Sequence, residues 1–159
     1  MNKNKLVKFV ISVLACQIAG FAGSVFTTPS IPTWYASINK PAFTPPNWVF
    51  APAWTTLFLL MGISLYIIWD KGLGSRDSKL AVSVFGVQLA LNVIWSLLFF
   101  GLQNPFFAFV EIIMLWTAIL ATIMLFYKIS KKAGILLVPY IFWVSFAAFL
   151  NYSVWMLNF

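Results

Sequence analysis

Polar and aromatic side chains suited to a binding site recur at helical spacing in this sequence. Gln88, Asn92, Trp95 and Phe99 follow one another at intervals of three and four residues, so they share one face of a helix. An amide surrounded by hydrocarbon is stable only where it faces other polar groups. This face is therefore expected to point inward, where it could line a ligand pocket.

Two further segments carry comparable stripes. One consists of Trp54, Phe58 and Met61, and the other consists of Trp143, Ala147, Leu150, Asn151 and Val154. Trp54, Trp95 and Trp143 all fall in the halves of their segments that adjoin one long loop, so a shared pocket is predicted there. Two simpler interpretations remain open. The amides could serve only as hydrogen bonds between helices, each worth about 0.6–2 kcal/mol, and the tryptophans could serve only for packing.

Conventional catalysis has few candidates in this composition. The chain contains no histidine, one cysteine and three acidic residues, so no zinc site and no paired-carboxylate site are expected. No serine or tyrosine has an evident base beside it. The composition therefore favours binding over acid–base or metal-assisted chemistry.

The elements that position these side chains are predicted to be membrane helices. Of 159 residues, 62% are hydrophobic and only 8% are charged, which is incompatible with a water-exposed surface. Five apolar segments are long enough to cross a bilayer. We predict an all-α integral membrane bundle, one domain over 1–159, with five transmembrane helices at about 6–27, 48–69, 79–100, 105–128 and 133–157.

The distribution of positive charge predicts the orientation. Nine basic residues flank the apolar segments on one side of the predicted membrane, while Lys40 alone lies on the other side. The positive-inside rule then places the N-terminus in the cytoplasm and the C-terminus outside.

The long outer loop, 28–47, is too long to be a simple connection. It contains Trp34, Tyr35 and Phe43 among five prolines, which stiffen the backbone and supply apolar surface to bury. We predict an ordered lid over the outer end of the bundle. The alternative is a belt of aromatic residues at the membrane interface.

Two residues inside the apolar segments have competing interpretations. Glu111 is the only charged residue within the apolar runs, so it is either functional or stabilised by the N-terminal end of a helix dipole. Cys16 follows Val13-Leu-Ala in a lysine-preceded apolar run, a pattern that also fits a lipoprotein signal. The simpler interpretation is an uncleaved helix with Cys16 as a small packing residue.

Four motifs carry a resemblance that extends along essentially the whole chain. The first two are Pro32-Thr-Trp34-Tyr35 and the stretch from Lys40-Pro-Ala-Phe to Trp48-Val-Phe-Ala-Pro-Ala-Trp54. The third is Gln88-Leu-Ala-Leu-Asn92-Val-Ile-Trp95-Ser-Leu-Leu-Phe99-Phe100-Gly101. The fourth is Pro139-Tyr140-Ile-Phe-Trp143, followed by Ala147 and Leu150-Asn151-Tyr152-Ser-Val-Trp155. Together they resemble the tryptophan-rich sensory protein family, also called the translocator protein or peripheral-type benzodiazepine receptor family. The resemblance is to a bacterial member in a cell membrane.

The resemblance implies a five-helix bundle, often a homodimer, that binds protoporphyrin IX and benzodiazepine-type ligands under the first loop, with no required cofactor. It implies a pocket formed by Tyr35, Trp54, Asn92, Trp95, Phe99, Phe100, Trp143, Ala147 and Leu150. Lys40 is a possible contact for the propionates. One departure concerns the sterol motif of animal members, which ends in a basic residue where this chain has Met156, so sterol binding is not expected.

Three functions remain open at this point. The favoured one is a receptor or sensor for tetrapyrroles. The second is a transporter, although five helices without a repeat do not match the usual inverted-repeat design. The third is light-dependent porphyrin degradation, in which Trp54 and Trp143 would take part, as the resemblance implies for some bacterial members.

Overall fold

The computed structural model describes residues 2–159 and is helical over nearly all of this range. The elements in chain order are α1 (Lys3–Ser30), α2 (Trp34–Ser37), α3 (Asn47–Lys71), α4 (Arg76–Ser96), a π-helical turn (Leu97–Gly101), α5 (Pro105–Ile129), α6 (Lys131–Leu136) and α7 (Val138–Asn158). Five of the resulting spans are long and apolar enough to cross a membrane. The prediction of an all-α membrane bundle is confirmed.

The helices extend beyond the predicted bounds at several ends. The first begins at Lys3 rather than 6 and continues to Ser30 through Pro29, so it takes up the first three residues of the predicted loop 28–47. The last span begins at Lys131 and is interrupted at Leu137, two residues before Pro139, which has no backbone N–H to donate to a helical hydrogen bond. Apolar periodicity marks the hydrocarbon region of each helix and leaves its polar ends undefined.

Capping residues explain two of the helix starts. The side chain of Ser75 accepts a hydrogen bond from the backbone N–H of Ser78 at the start of α4. Asn104 accepts from the N–H of Phe107 at 3.1 Å, and Pro105 occupies the first turn of α5. These contacts satisfy N–H groups that have no intrahelical partner.

The helices pack around a buried core. Helix α1 packs against α3 and α4, while α5 packs against α4 and α7, and α3 packs against α6. Phe85 of α4 and Phe126 of α5 stack with ring centroids 5.5 Å apart. A row of large apolar side chains on α1 remains exposed, including Ile18 and Phe21, which fits contact with lipid.

The two ends of the bundle differ in charge and in cover. At the end that carries the N-terminus, here called the basic end, Lys5 forms an ion pair with Asp70 at 3.0 Å. At the opposite end, called the lid end, the segment 31–46 covers the bundle. The backbone N–H of Asn39 donates to Asn158 Oδ1, and Asn158 Nδ2 donates back to Asn39 O, so the lid is fastened to the last helix.

Candidate functional site

A cavity of about 410 Å³ lies under the lid between α1, α3, α4 and α7. A volume of a few hundred cubic ångströms is typical of small-molecule sites. All nine residues predicted for the pocket line it, namely Tyr35, Trp54, Asn92, Trp95, Phe99, Phe100, Trp143, Ala147 and Leu150. Residues from four separate segments of the sequence therefore meet at one place.

Two pairs of aromatic rings form walls of this cavity. Trp54 and Trp143 lie edge to face, with ring centroids 6.5 Å apart. Trp95 stacks on Phe99, with ring centroids 5.2 Å apart and an angle of 19° between the ring planes. The apolar faces of these rings suit a flat apolar ligand.

A buried chain of hydrogen bonds lies behind the aromatic walls. Asn92 Nδ2 donates to the Tyr140 hydroxyl, and that hydroxyl donates to Gln88 Oε1 at 3.0 Å. All three side chains are at least 95% buried. Of the three, only Asn92 lines the cavity, so Gln88 and Tyr140 act through it. Both amides therefore have at least one helix-to-helix hydrogen bond, as the simpler interpretation anticipated, and Asn92 also faces the cavity.

Tyr140→Phe is expected to lower the free energy of unfolding by about 1–2 kcal/mol, because it leaves two buried amide groups without a partner. Thermal unfolding of the purified protein in detergent measures this. Tyr152→Phe is the matched control, since Tyr152 lies on the same helix and is 41% exposed. Equal stability of the two variants would contradict a structural role for the Tyr140 hydroxyl.

A second hydrogen-bond chain connects the cavity wall to the start of α5. Trp95 Nε1 donates to Asn151 Oδ1 at 3.0 Å, and Asn151 Nδ2 donates to the carbonyl oxygen of Pro105 at 2.8 Å. Both Trp95 and Asn151 line the cavity. The orientation of the Trp95 ring is thus fixed by a residue of α7.

The π-helical turn at the end of α4 presents two neighbouring aromatic residues to the lid. The backbone N–H of Leu102 donates to the carbonyl oxygen of Leu97 at 2.7 Å. This interval of five residues is the one found in a π-helix. Tyr35 of the lid packs against Phe100 at 5.7 Å and against Phe99 at 6.3 Å. Burial raises the pKa of the Tyr35 phenol, which therefore stays neutral at physiological pH.

Lys40 does not line the cavity. Its Nζ donates to the carbonyl oxygens of Tyr35 at 2.6 Å and Ile38 at 2.9 Å and lies 5.0 Å from the centroid of the Tyr35 ring. These contacts hold the turn of the lid in shape. A direct contact between Lys40 and a propionate stays a prediction.

Helix α1 supplies a third wall that the sequence did not identify as part of the site. Gln17, Gly20 and Gly23 line the cavity, and Gln17 Nε2 donates to the carbonyl oxygen of Thr55 in α3 at 3.2 Å. Small residues such as Gly20 and Gly23 suit close helix packing, and their spacing does not by itself identify a cavity wall. A polar Gln17 beside them in an apolar helix was the available signal.

Comparison with known proteins identifies the group to which this architecture belongs. The model of the TspO/MBR family matches residues 12–156. This chain belongs to the TspO/MBR family. The match spans all five membrane-crossing helices and the lid, so the cavity described above is a feature of a TspO/MBR chain.

Individual TspO/MBR relatives resemble this chain over most of their length. It is 51% identical to the tryptophan-rich protein TspO of Archaeoglobus fulgidus over 96% of this chain and 98% of that protein. It is 40% identical to the tryptophan-rich protein TspO of Chlorobaculum tepidum over 99% of each. Human translocator protein is 39% identical over 89% of this chain and 85% of its own length. Membership of this family supports a role as a membrane sensor or receptor.

Proposed function

We propose that this protein is a membrane receptor that binds porphyrins, protoporphyrin IX among them, in the cavity under the lid. Benzodiazepine-type compounds would be a second ligand class for the same cavity. The observation that carries the proposal is that nine residues named from four sequence motifs line a single cavity. In this proposal protoporphyrin IX is a ligand, and the protein requires no cofactor.

The walls of the cavity suit the two parts of a porphyrin. The apolar macrocycle would lie in the slot between the Trp54–Trp143 pair and the stacked Trp95 and Phe99 rings, since aromatic faces favour offset or edge contacts with another π-system. The amide of Asn92, which lines the cavity, would orient the porphyrin macrocycle through a polar contact at its edge.

The propionates of the ligand need a polar region at the mouth of the cavity. Asn47, the first residue of α3, and Thr28 of α1 line the cavity near the lid. The N-terminal end of a long helix carries partial positive charge from its unpaired N–H groups. We therefore place the propionates beside the start of α3, with Lys40 acting indirectly by shaping the lid.

A titration of the purified protein with protoporphyrin IX in the dark tests the proposal. Saturable quenching of tryptophan fluorescence with one ligand per chain is expected, because three tryptophans line the site. A linear signal without saturation would contradict it. The same samples, illuminated and analysed by chromatography, separate receptor from degradative enzyme, since only an enzyme yields products that depend on Trp54 and Trp143.

Orientation and assembly are further parts of the proposal. The basic end carries nine lysine and arginine residues and the lid end one, so the N-terminus would face the cytoplasm of a bacterial cell and the lid and C-terminus the outside. A homodimer in the membrane is expected from the family. Trypsin added to sealed right-side-out vesicles should not cleave at the lysines of the basic end. Cleavage there would show that the basic end faces outward and would contradict the proposed orientation.

A further inference from the structure

The carboxyl group of Glu111 is buried in α5 without a hydrogen-bond partner among residues 2–159. The residue is 3% exposed, and neither Oε1 nor Oε2 contacts a donor. It is the seventh residue of α5, which lies beyond the first turn in which a helix dipole stabilises an acid. The dipole interpretation of Glu111 is therefore not supported by its position.

The elements packed against α5 supply no cation to Glu111. These elements are α4, the π-helical turn, α6 and α7. Their titratable residues are Arg76, Asp77 and Lys79 of α4, Lys131 and Lys132 of α6, and Tyr140 and Tyr152 of α7. All the charged members lie at the basic end, whereas Glu111 is near the start of α5 at the lid end. An unpaired carboxylate in such surroundings is costly, so the neutral acid is the stable form.

A neutral carboxylic acid still needs hydrogen-bond partners, because it has one donor and retains acceptor capacity. Buried polar groups that lack a protein partner are commonly satisfied by internal water. Gln88 Nε2 on the neighbouring α4 is a second such group, in a side chain that is 1% exposed. Two unpartnered polar side chains on packed helices thus point to internal hydration of this part of the bundle.

Glu111 lies one turn from a residue that packs against the wall of the cavity. Ala108, three positions earlier on α5, belongs to one cluster with Phe99 and Tyr35, which line the cavity. The first residue of α5, Pro105, accepts the hydrogen bond from Asn151, which in turn accepts from Trp95. These contacts join Trp95 to the first turn of the helix that carries Glu111.

We propose that Glu111 forms a proton-binding site inside the membrane, in which a neutral carboxylic acid is hydrated by internal water. The site is connected to the cavity wall through Pro105, Asn151 and Trp95. It goes beyond porphyrin binding and does not depend on it, since the burial and the missing partners of Glu111 are properties of the protein alone.

Infrared spectroscopy tests the proton and the water on the unmodified protein. Glu111 is the only glutamate in the chain, so protein grown with glutamate labelled with carbon-13 at the side-chain carboxyl shifts the band of this residue alone. At neutral pH the label is expected in the region of protonated carboxylic acids, and transfer to heavy water is expected to shift it. A labelled band in the carboxylate region, or one insensitive to heavy water, would overturn the site.

A matched pair of variants tests the connection to the cavity wall. Trp95→Phe removes the donor to Asn151 and is expected to shift the labelled Glu111 band. Trp116→Phe is the control, because it also removes an indole donor to α7, the 2.8 Å hydrogen bond from Trp116 Nε1 to Ser145 Oγ, and neither of these residues lines the cavity. A band that is unmoved by Trp95→Phe, or moved equally by both variants, would overturn the connection. Porphyrin binding is tested separately, by the titration of the wild-type protein.

Discussion

Gly62→Leu is expected to lower the free energy of unfolding by roughly 1–3 kcal/mol or more, because it forces α1 away from α3. A Cβ atom placed on Gly62 would lie 2.6 Å from the Cα of Val13, and that contact is with backbone, which cannot rotate aside. Thermal unfolding of the purified variant in detergent measures the loss. The cavity should be affected as well, since α1 and α3 each form one of its walls.

Gly86 provides the matched control for this result. It lies in the interior of α4, and a Cβ atom placed on it meets nothing within 4 Å. Gly86→Ala should therefore be neutral or stabilising by up to about 1 kcal/mol, because alanine restricts the unfolded chain and favours the helix. Gly62→Ala should destabilise. The same substitution is thus expected to have opposite signs at the two positions, and a common sign would contradict the close contact of α1 with α3.

Ala147→Phe is expected to weaken protoporphyrin IX binding about tenfold or more while the bundle remains folded. Ala147 lines the cavity between the aromatic walls, so the added ring occupies the slot proposed for the macrocycle. Steric conflict of about 1–3 kcal/mol corresponds to a change of roughly 10–100-fold in Kd. The dark titration described for the wild type provides the measurement.

The control for Ala147→Phe adds the same ring to the outside of the bundle. Ala90 lies on an exposed face of α4, where a phenylalanine would contact lipid or detergent. Ala90→Phe should therefore bind protoporphyrin IX as the wild type does. If both variants bind with unchanged affinity, the ligand lies elsewhere; if both lose binding equally, the effect is not specific to the cavity.

Much of the site followed from the sequence because helical spacing and hydrocarbon impose strong constraints. The positions of Gln88, Asn92 and Trp95 on one face required that face to be buried, and the structure buries the two amides and places Trp95 in the cavity wall. The prolines and aromatics of the lid predicted an ordered segment, and Tyr35, which belongs to the lid, is buried. A local sequence pattern is sufficient to predict the buried face of a helix where one physical requirement, here the burial of amides, selects that face.

Other features depend on which helices meet, and local pattern does not specify that. The contribution of Gln17 to the cavity and the close approach at Gly62 arise because α1 packs beside α3. The charge of Lys40 did not predict that its ammonium group binds carbonyl oxygens of the lid. A lone cation finds the nearest acceptors of the folded chain, and these are known only once the backbone path is known.

Protection of a cysteine placed in the cavity tests the central claim most directly. The natural Cys16 is fully buried, so Ala147→Cys introduces one accessible thiol on the cavity wall, and Ala90→Cys places one on the outer surface. Saturating protoporphyrin IX should slow labelling of the cavity thiol by an apolar thiol reagent and leave labelling at position 90 unchanged. Unaltered labelling at position 147, with ligand bound, would place the ligand outside the cavity and contradict the account.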